Sequence, residues 1–416
     1  MSAQPIEMQL STYRACFATG QDSENYALVK VTVPKDANVG ETRAEMVLVL
    51  DCSASMDEIP RNSESRRSPK NAVIDAVQEI INVLRPNDRL GIVAFDDTAW
   101  LAAPLTAGEN RQKLRDAMER LRNEGGGSTS LKPALELAVK EIRQNARDAK
   151  AARLVVLTDG QAGDAAATLG YIRTLERQSI ASLGFGNFDF NFMNEVCKPS
   201  QGLCQEVGKE SPSKVKDVFL DELRVAQNTV ASNVRLRIRP TDIGKLVKSY
   251  IVHPNPTFLG PAELGAAREL VINLPVLDRT EGIEVLLHMR HPSREMGNVS
   301  AGEVTLLYDV PSLNLQNQEL VDNIEIEYVN REDRRLRDSN LYIQAAFKRG
   351  FDEEVRQRYE KAVGEGDAIA ADRALGTLMK SDNAAVAATA TKLKTGGASA
   401  NDSKALTQST RKKQSS

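Results

Sequence analysis

The chain has 416 residues, 41% of them hydrophobic and 27% charged, which is apolar content enough for roughly two or three cored domains. A formal net charge of -3 leaves no basic footprint for nucleic acid or for an acidic membrane surface. No apolar run approaches the length of a membrane span, and MSAQPIEMQL at the start lacks the basic and apolar segments of a secretory leader.

Residues from about Ile6 to Val33 read as short strands, and Tyr26 to Val33 alternates apolar and polar side chains up to Pro34. Met46 to Met56, MVLVLDCSASM, then runs an uninterrupted apolar stretch into Asp51. Such a run fits a strand buried on both faces of a parallel sheet, with its functional groups just past the carboxyl end. Glu58 to Ser68 is polar and aperiodic, and Ser68-Pro69 is a helix start, with a hydroxyl N-cap and proline at N1. Val73, Val77, Ile80, Ile81 and Leu84 form one helical stripe that ends at Pro86-Asn87-Asp88.

Leu90 to Phe95 is the next strand, and Asp97 to Leu105 is a shorter segment suited to a sheet edge. A helix capped by Asn110 carries Leu114, Met118 and Leu121. The loop Glu124-Gly-Gly-Gly-Ser-Thr-Ser130 leads to a helix with Leu131, Leu135, Ala138 and Ile142. Strand Arg153 to Thr158 ends at Asp159-Gly160. A helix around Leu169 to Leu175, strands at Ile180–Phe185 and near Leu203–Val207, and a helix from Ser213 to Asn228 complete an alternation of strand and helix. That alternation predicts an α/β fold with a doubly wound, mostly parallel sheet of Rossmann-like layout over residues 44–228.

From 229 to 330 the pattern turns to alternating strands, such as Val234 to Arg239 and Ile324 to Val329, punctuated by Pro and Gly. The strands of residues 1–43 have no other core to join, so the α/β unit is expected to be inserted in an antiparallel β-sandwich. Residues 331–395 read as a C-terminal helical region of three or four short helices, broken at Gly350 and at Gly364-Glu-Gly366. Residues 396–416 are rich in Gly, Ser, Thr and Lys and read as a disordered tail.

Three strand or loop ends then fall together. Asp51, Ser53 and Ser55 follow one buried strand, Asp159 follows another, and Thr129 sits in the glycine-rich loop. Gly160 permits a sharp turn beside Asp159. Two carboxylates and three hydroxyls at one sheet edge are hard oxygen donors, suited to Mg²⁺ or Mn²⁺ before a soft metal. DCSAS, GGGST and TDG in these contexts resemble a von Willebrand factor A (vWA) domain with its metal-ion-dependent adhesion site. The likeness covers roughly Arg43 to Asn228. It implies Asp51, Ser53, Ser55, Thr129 and Asp159 as the metal site, with some contacts through water, and Mg²⁺, Mn²⁺ or Ca²⁺ as the ion. Cys52 takes an unconstrained position of the motif.

Mg²⁺ keeps exchangeable water where protein does not fill its shell. A partner protein's Asp or Glu can replace that water, so the expected function is a metal-dependent protein–protein interaction or scaffold module, without enzymatic activity. The whole layout is similar to cytoplasmic bacterial proteins of this class. Cys16, Cys52, Cys197 and Cys204, scattered and without Cys-x-x-Cys spacing, also point to reduced thiols in a cytoplasm.

The rival reading is a Mg²⁺-dependent hydrolase or phosphatase with Asp51 as nucleophile. Such enzymes carry a second Asp two residues on, where this chain has Ser53. An NTPase fits less well, because Gly125-Gly-Gly-Ser-Thr129 lacks a Gly-Lys-Ser/Thr ending. His288 and His291, three apart on a strand, point to opposite faces and read as structural. The basic run Arg331 to Arg337 has no interleaved aromatics and reads as a solvated linker rather than a nucleic-acid site. In the tail, Thr407 and Thr410, near basic residues, are expected to be accessible to kinases and to phosphopeptide-binding proteins.

Overall fold

The structure is a computed structural model describing residues 4–59, 68–159, 162–175, 178–185, 188–200, 202, 204–207, 213–396, 405–407 and 409. Gly160, Leu203, Thr410 and most of the aperiodic stretch between Glu58 and Ser68 lie outside those residues.

The chain begins with β1 (Glu7–Thr12), β2 (Cys16–Ala18) and β3 (Ser23–Thr32). An α/β unit follows: β4 (Glu45–Asp51), α1 (Pro69–Val83), β5 (Arg89–Phe95), β6 (Ala99–Ala107), α2 (Arg111–Leu121) and α3 (Leu131–Asn145). It continues through β7 (Arg153–Thr158), α4 (Ala165–Ile172), β8 (Ser179–Phe185), α5 (Phe190–Cys197), β9 (Cys204–Val207) and α6 (Ser213–Asn228). Then come β10 (Thr229–Pro240), β11 (Lys245–His253), β12 (Thr257–Pro261), β13 (Leu270–Asn273), β14 (Leu277–Asp278), β15 (Ile283–His291), β16 (Gly297–Val310) and β17 (Leu315–Val329). Helices α7 (Leu341–Glu365), α8 (Ala368–Leu378) and α9 (Ala384–Gly396) follow.

The α/β unit is one six-stranded sheet in the order β6-β5-β4-β7-β8-β9, parallel except for the edge strand β6. Every residue of β4 is buried, and its period of two explains the unbroken apolar run. Met46, Leu48 and Leu50 face a core with α1, α2 and α6, whereas Val47 and Val49 face a second core with α3 and α5. The strand order reverses beside β4, so the carboxyl ends of β4 and β7 flank the crevice where such sheets hold their ligands. Ser68 caps α1 as its sequence predicts, accepting from the Asn71 N–H, with Pro69 at the first helical position.

Sheet β1-β3-β15-β11-β12 packs on sheet β13-β10-β16-β17-β2 through a shared apolar core. Strands from before the α/β unit pair with strands from after it: β3 with β15 antiparallel, and β2 with β17 parallel. The α/β unit is therefore inserted in a sandwich closed from both ends of the chain. Among the described residues, no helix is long and apolar enough to cross a membrane.

The C-terminal region departs from its expected form in three places. Residues 331–340 hold only a 3-10 turn, Arg334–Arg337, whose Arg335 is paired with Asp333 and Glu327. Helix α7 runs through Gly350 without a break and stops at Gly366, which takes a left-handed φ of 74°. Gly350 is there for packing. A Cβ at that position would lie 2.9 Å from the Tyr250 ring, on the face where Ile343 and Ala346 meet Leu28, Val252 and Leu286.

The third departure is the tail. Residues 405–407 are helical, Leu406 enters the core formed by α7, α8 and α9, and Thr407 is 1% exposed. The Thr407 hydroxyl accepts from Arg356 at 2.9 Å and donates to Glu360 at 2.9 Å. Composition hid this because one buried leucine and one satisfied hydroxyl suffice to dock a turn against a preformed groove. Thr407 is thus a packed residue and not an accessible one.

His288 and His291 do point to opposite faces of β15. His288 stacks on Tyr26 and contacts Glu24, whereas His291 packs on Phe17 and bonds the Ile243 carbonyl. Burial holds both rings below their ordinary pKa, so folding favours their neutral form. The unfolded chain binds more protons as pH falls below about 6.5, and stability declines on that side while it is full at higher pH. The unfolding midpoint should therefore drop between pH 7 and pH 5, and His291→Phe should show a shallower drop in the same thermal scans. An unchanged slope in His291→Phe would refute the assignment.

Candidate functional site

Three loops close over the carboxyl ends of β4 and β7. The first is the turn after β4, where the Ser53 N–H donates to Asp51 Oδ1 at 2.8 Å and folds the chain back over the strand end. A single 3-10 turn, Ala54–Asp57, follows, so Ser53 and Ser55 return to one side with their hydroxyls 3.2 Å apart. The second is the glycine-rich loop before α3. Gly126 bridges Ser53 in parallel-strand fashion, its N–H donates to the Cys52 carbonyl at 3.0 Å, and Ala54 N–H reaches the Gly127 carbonyl at 3.3 Å. The third follows β7, where the Gly163 N–H donates to the Thr129 carbonyl at 2.9 Å. Asp164 on this loop accepts from the Leu131 and Lys132 N–H groups and so caps α3.

Four of the five side chains named from sequence meet directly. Ser55 Oγ donates to Asp159 Oδ1 at 2.8 Å, Ser53 Oγ touches Ser55 Oγ, and Asp51 is bound to the Ser53 backbone. Asp51 and Ser53 are 1% exposed and Asp159 8%, so the group is recessed beneath the surface. Thr129, half-buried, is brought to the same edge through the backbone contacts of its loop. A residue that sequence reasoning passed over completes the group: Thr158 Oγ1 donates to Asp51 Oδ2. Its signal was its place as the last residue of β7, beside Asp159 and facing the end of β4.

Burial is the largest influence on Asp51 and pushes its carboxyl above the ordinary range. Hydrogen bonds from Ser53 and Thr158 pull the other way, and the neighbouring Asp159 charge adds to the upward push. A buried carboxylate beside a second one is poorly stabilised by hydroxyls alone, and a cation between them would remove the conflict. The donors are all oxygens, two carboxylates and adjacent hydroxyls, which fits a hard divalent ion and not a thiophilic one. Cys52 takes no part: it is 2% exposed, faces the α1 core, and burial raises its thiol to about 12.

Both carboxylate oxygens of Asp51 are occupied by Ser53 and Thr158 in a recess closed by the two neighbouring loops.

Residues 46–161 match the profile described as von Willebrand factor type A domain. The chain is similar, at 25% identity over 303 residues, to the uncharacterized protein sll0103 of Synechocystis sp., a match covering 71% of this chain and 68% of that protein. In fold it is similar to a von Willebrand factor type A protein from Catenulispora acidiphila, with a TM-score of 0.74 at 16% identity over 98% of this chain and 97% of that one. The ArnB paralog VWA2 from Sulfolobus acidocaldarius superposes with a TM-score of 0.62 at 15% identity, covering 98% of both chains. The α/β unit has a vWA-like fold, with the family match falling on residues 46–161, and the likeness of fold extends to its sandwich and helices.

Proposed function

We propose that this chain, built around its vWA domain, is a metal-dependent protein-interaction or scaffold module. The observation that carries the reading is the linked set Asp51, Ser53, Ser55 and Asp159 at the switch point of the sheet, with the Thr129 loop laid against it. Asp51, Ser53, Ser55, Thr129 and Asp159 would hold Mg²⁺, Mn²⁺ or Ca²⁺, some of them through water. The bound ion would supply an electrophilic position at which water exchanges for a carboxylate oxygen. The chain's own part is to hold the two aspartates at one recessed edge of the sheet and to orient the serine hydroxyls from one tight turn.

A partner would therefore present an Asp or Glu on a protruding segment. The rival phosphatase reading draws less support, because Ser53 stands two residues after Asp51, where such an enzyme carries a second Asp as acid and base. The cytoplasmic setting we propose is supported by cysteines without disulfide-framework spacing, two of which, Cys16 and Cys52, are buried free thiols.

Affinity capture from a lysate, with Mg²⁺ and with EDTA, using the parent chain and Asp51→Ala, tests the reading. Partners should be retained only by the parent and only with the metal. Capture that ignores both EDTA and Asp51→Ala would sink it. Phosphatase activity in the pure protein, lost in Asp51→Ala, would favour the rival.

A further inference from the structure

Lys70 stands in the first turn of α1, an unfavourable place for a cation, since the helix dipole is positive there and burial strips the ammonium of water. It is nonetheless only 4% exposed. Its Nζ donates to Asp57 Oδ2 at 2.7 Å and to the Glu124 carbonyl at 3.2 Å. Asp57 closes the turn that carries Ser53 and Ser55, and Glu124 directly precedes Gly125. One ammonium thus fastens two of the three site loops to each other and to α1. Its charge bears on Cys52, whose side chain lies on the α1 side of the sheet, so it grips the turn from beneath. Arg122 braces the second loop in the same manner, donating to Asn71 at 2.8 Å and to Asp75 at 2.8 Å on α1.

We infer that Lys70 is a positioning residue for the metal site, holding the Asp51–Ser55 turn in register with the Gly125–Thr129 loop. The inference rests on the metal-site reading above. Two effects of Lys70 on a metal ion have opposite signs, which makes the role measurable. As a bare charge it would repel a divalent ion, and its removal would tighten binding. As a clip it preorganises the oxygens, and its removal would weaken binding.

The test is Mn²⁺ titration calorimetry on the full chain, with thermal unfolding in EDTA, for the parent, Lys70→Met, Asp57→Asn and the double variant. Lys70→Met should weaken Mn²⁺ binding about 10-fold, within the range found for outer-shell partners of metal ligands. Asp57→Asn, which keeps the lysine and alters a side chain 48% exposed, should act in the same direction even where Lys70→Met folds poorly. The double variant should be no weaker than the weaker single one, because both remove one contact. Equal or tighter Mn²⁺ binding by the single variants, additive losses, or a lower melting temperature with unchanged affinity would overturn the clip. A parent chain that binds no Mn²⁺ would overturn the metal reading itself.

Discussion

Asp51→Asn is expected to abolish divalent-ion binding while leaving the metal-free protein folded and close to the parent in stability, or above it. The amide is nearly isosteric with the carboxylate it replaces. Its oxygen can still accept from the Ser53 N–H, and its NH₂ meets Thr158, whose hydroxyl can turn to accept instead of donate. What disappears is a buried negative charge beside Asp159, the arrangement that pushes the Asp51 carboxyl upward without a cation. Stability in EDTA should therefore stay within about 1 kcal/mol of the parent or rise above it, since no hydrogen bond is left unmade. Losing an outer-shell partner weakens metal sites about 10–100-fold, and losing a carboxylate ligand should do no less. Calorimetric Mn²⁺ titration and denaturant unfolding in EDTA check the two arms. Parent-like Mn²⁺ affinity would remove Asp51 from the ligand set. A large loss of stability in EDTA would make it a structural anchor instead.

The opposed signs follow from how the fold places the site, and that placement was largely legible in the residues. A strand buried on both faces is apolar along its middle, so the first charged residues after Leu50 and after Leu157 mark the sheet's edge. Asp51 and Asp159 could be located on those grounds. Glycines in a row before a helix likewise announced a loop, and Thr129 within it. Lys70 was not legible, because in sequence it is one polar residue in the first turn of a helix, where exposure is the ordinary outcome. Its burial depends on two loops arriving from elsewhere in the chain.

The same limit explains the other departures. Gly350 carries the signature of a helix break, yet the local preference of one glycine, about 1 kcal/mol, is overridden by a helix packed closely on Tyr250. Helix α5 went unforeseen although Asp189 caps it by accepting from the Phe192 N–H, because Phe190, Phe192, Met193, Asn194, Val196 and Cys197 are all buried and leave no single apolar stripe. Docking of Leu406 and Thr407 depends on a groove made by α7 to α9. Composition reports what a segment can bury alone and is silent on what a neighbour offers it.

Gly125→Ala should be the most damaging single change in the glycine-rich loop, and a comparison with its neighbours isolates the reason. All three glycines have positive φ, 96° at Gly125, 146° at Gly126 and 59° at Gly127, so each alanine incurs backbone strain of about 1–3 kcal/mol. They differ in what a methyl would meet. At Gly126 nothing lies within 4 Å, and at Gly127 the nearest atom is Oδ1 of Asp97 at 2.8 Å, on a side chain that can swing away. At Gly125 the methyl would fall 2.3 Å from the Cys52 carbonyl oxygen and 2.6 Å from its Cβ. That carbonyl belongs to the turn that presents Asp51 and Ser53, and it accepts the Gly126 N–H. The loop has to lift from the strand end, and the overpacking adds about 1–3 kcal/mol to the strain. Unfolding free energies should fall in the order Gly126→Ala, Gly127→Ala, Gly125→Ala, with Mn²⁺ affinity lost most steeply in the last. Should Gly125→Ala lose stability yet bind Mn²⁺ as the parent does, the displaced loop is not part of the site, and Thr129 leaves the ligand set with it.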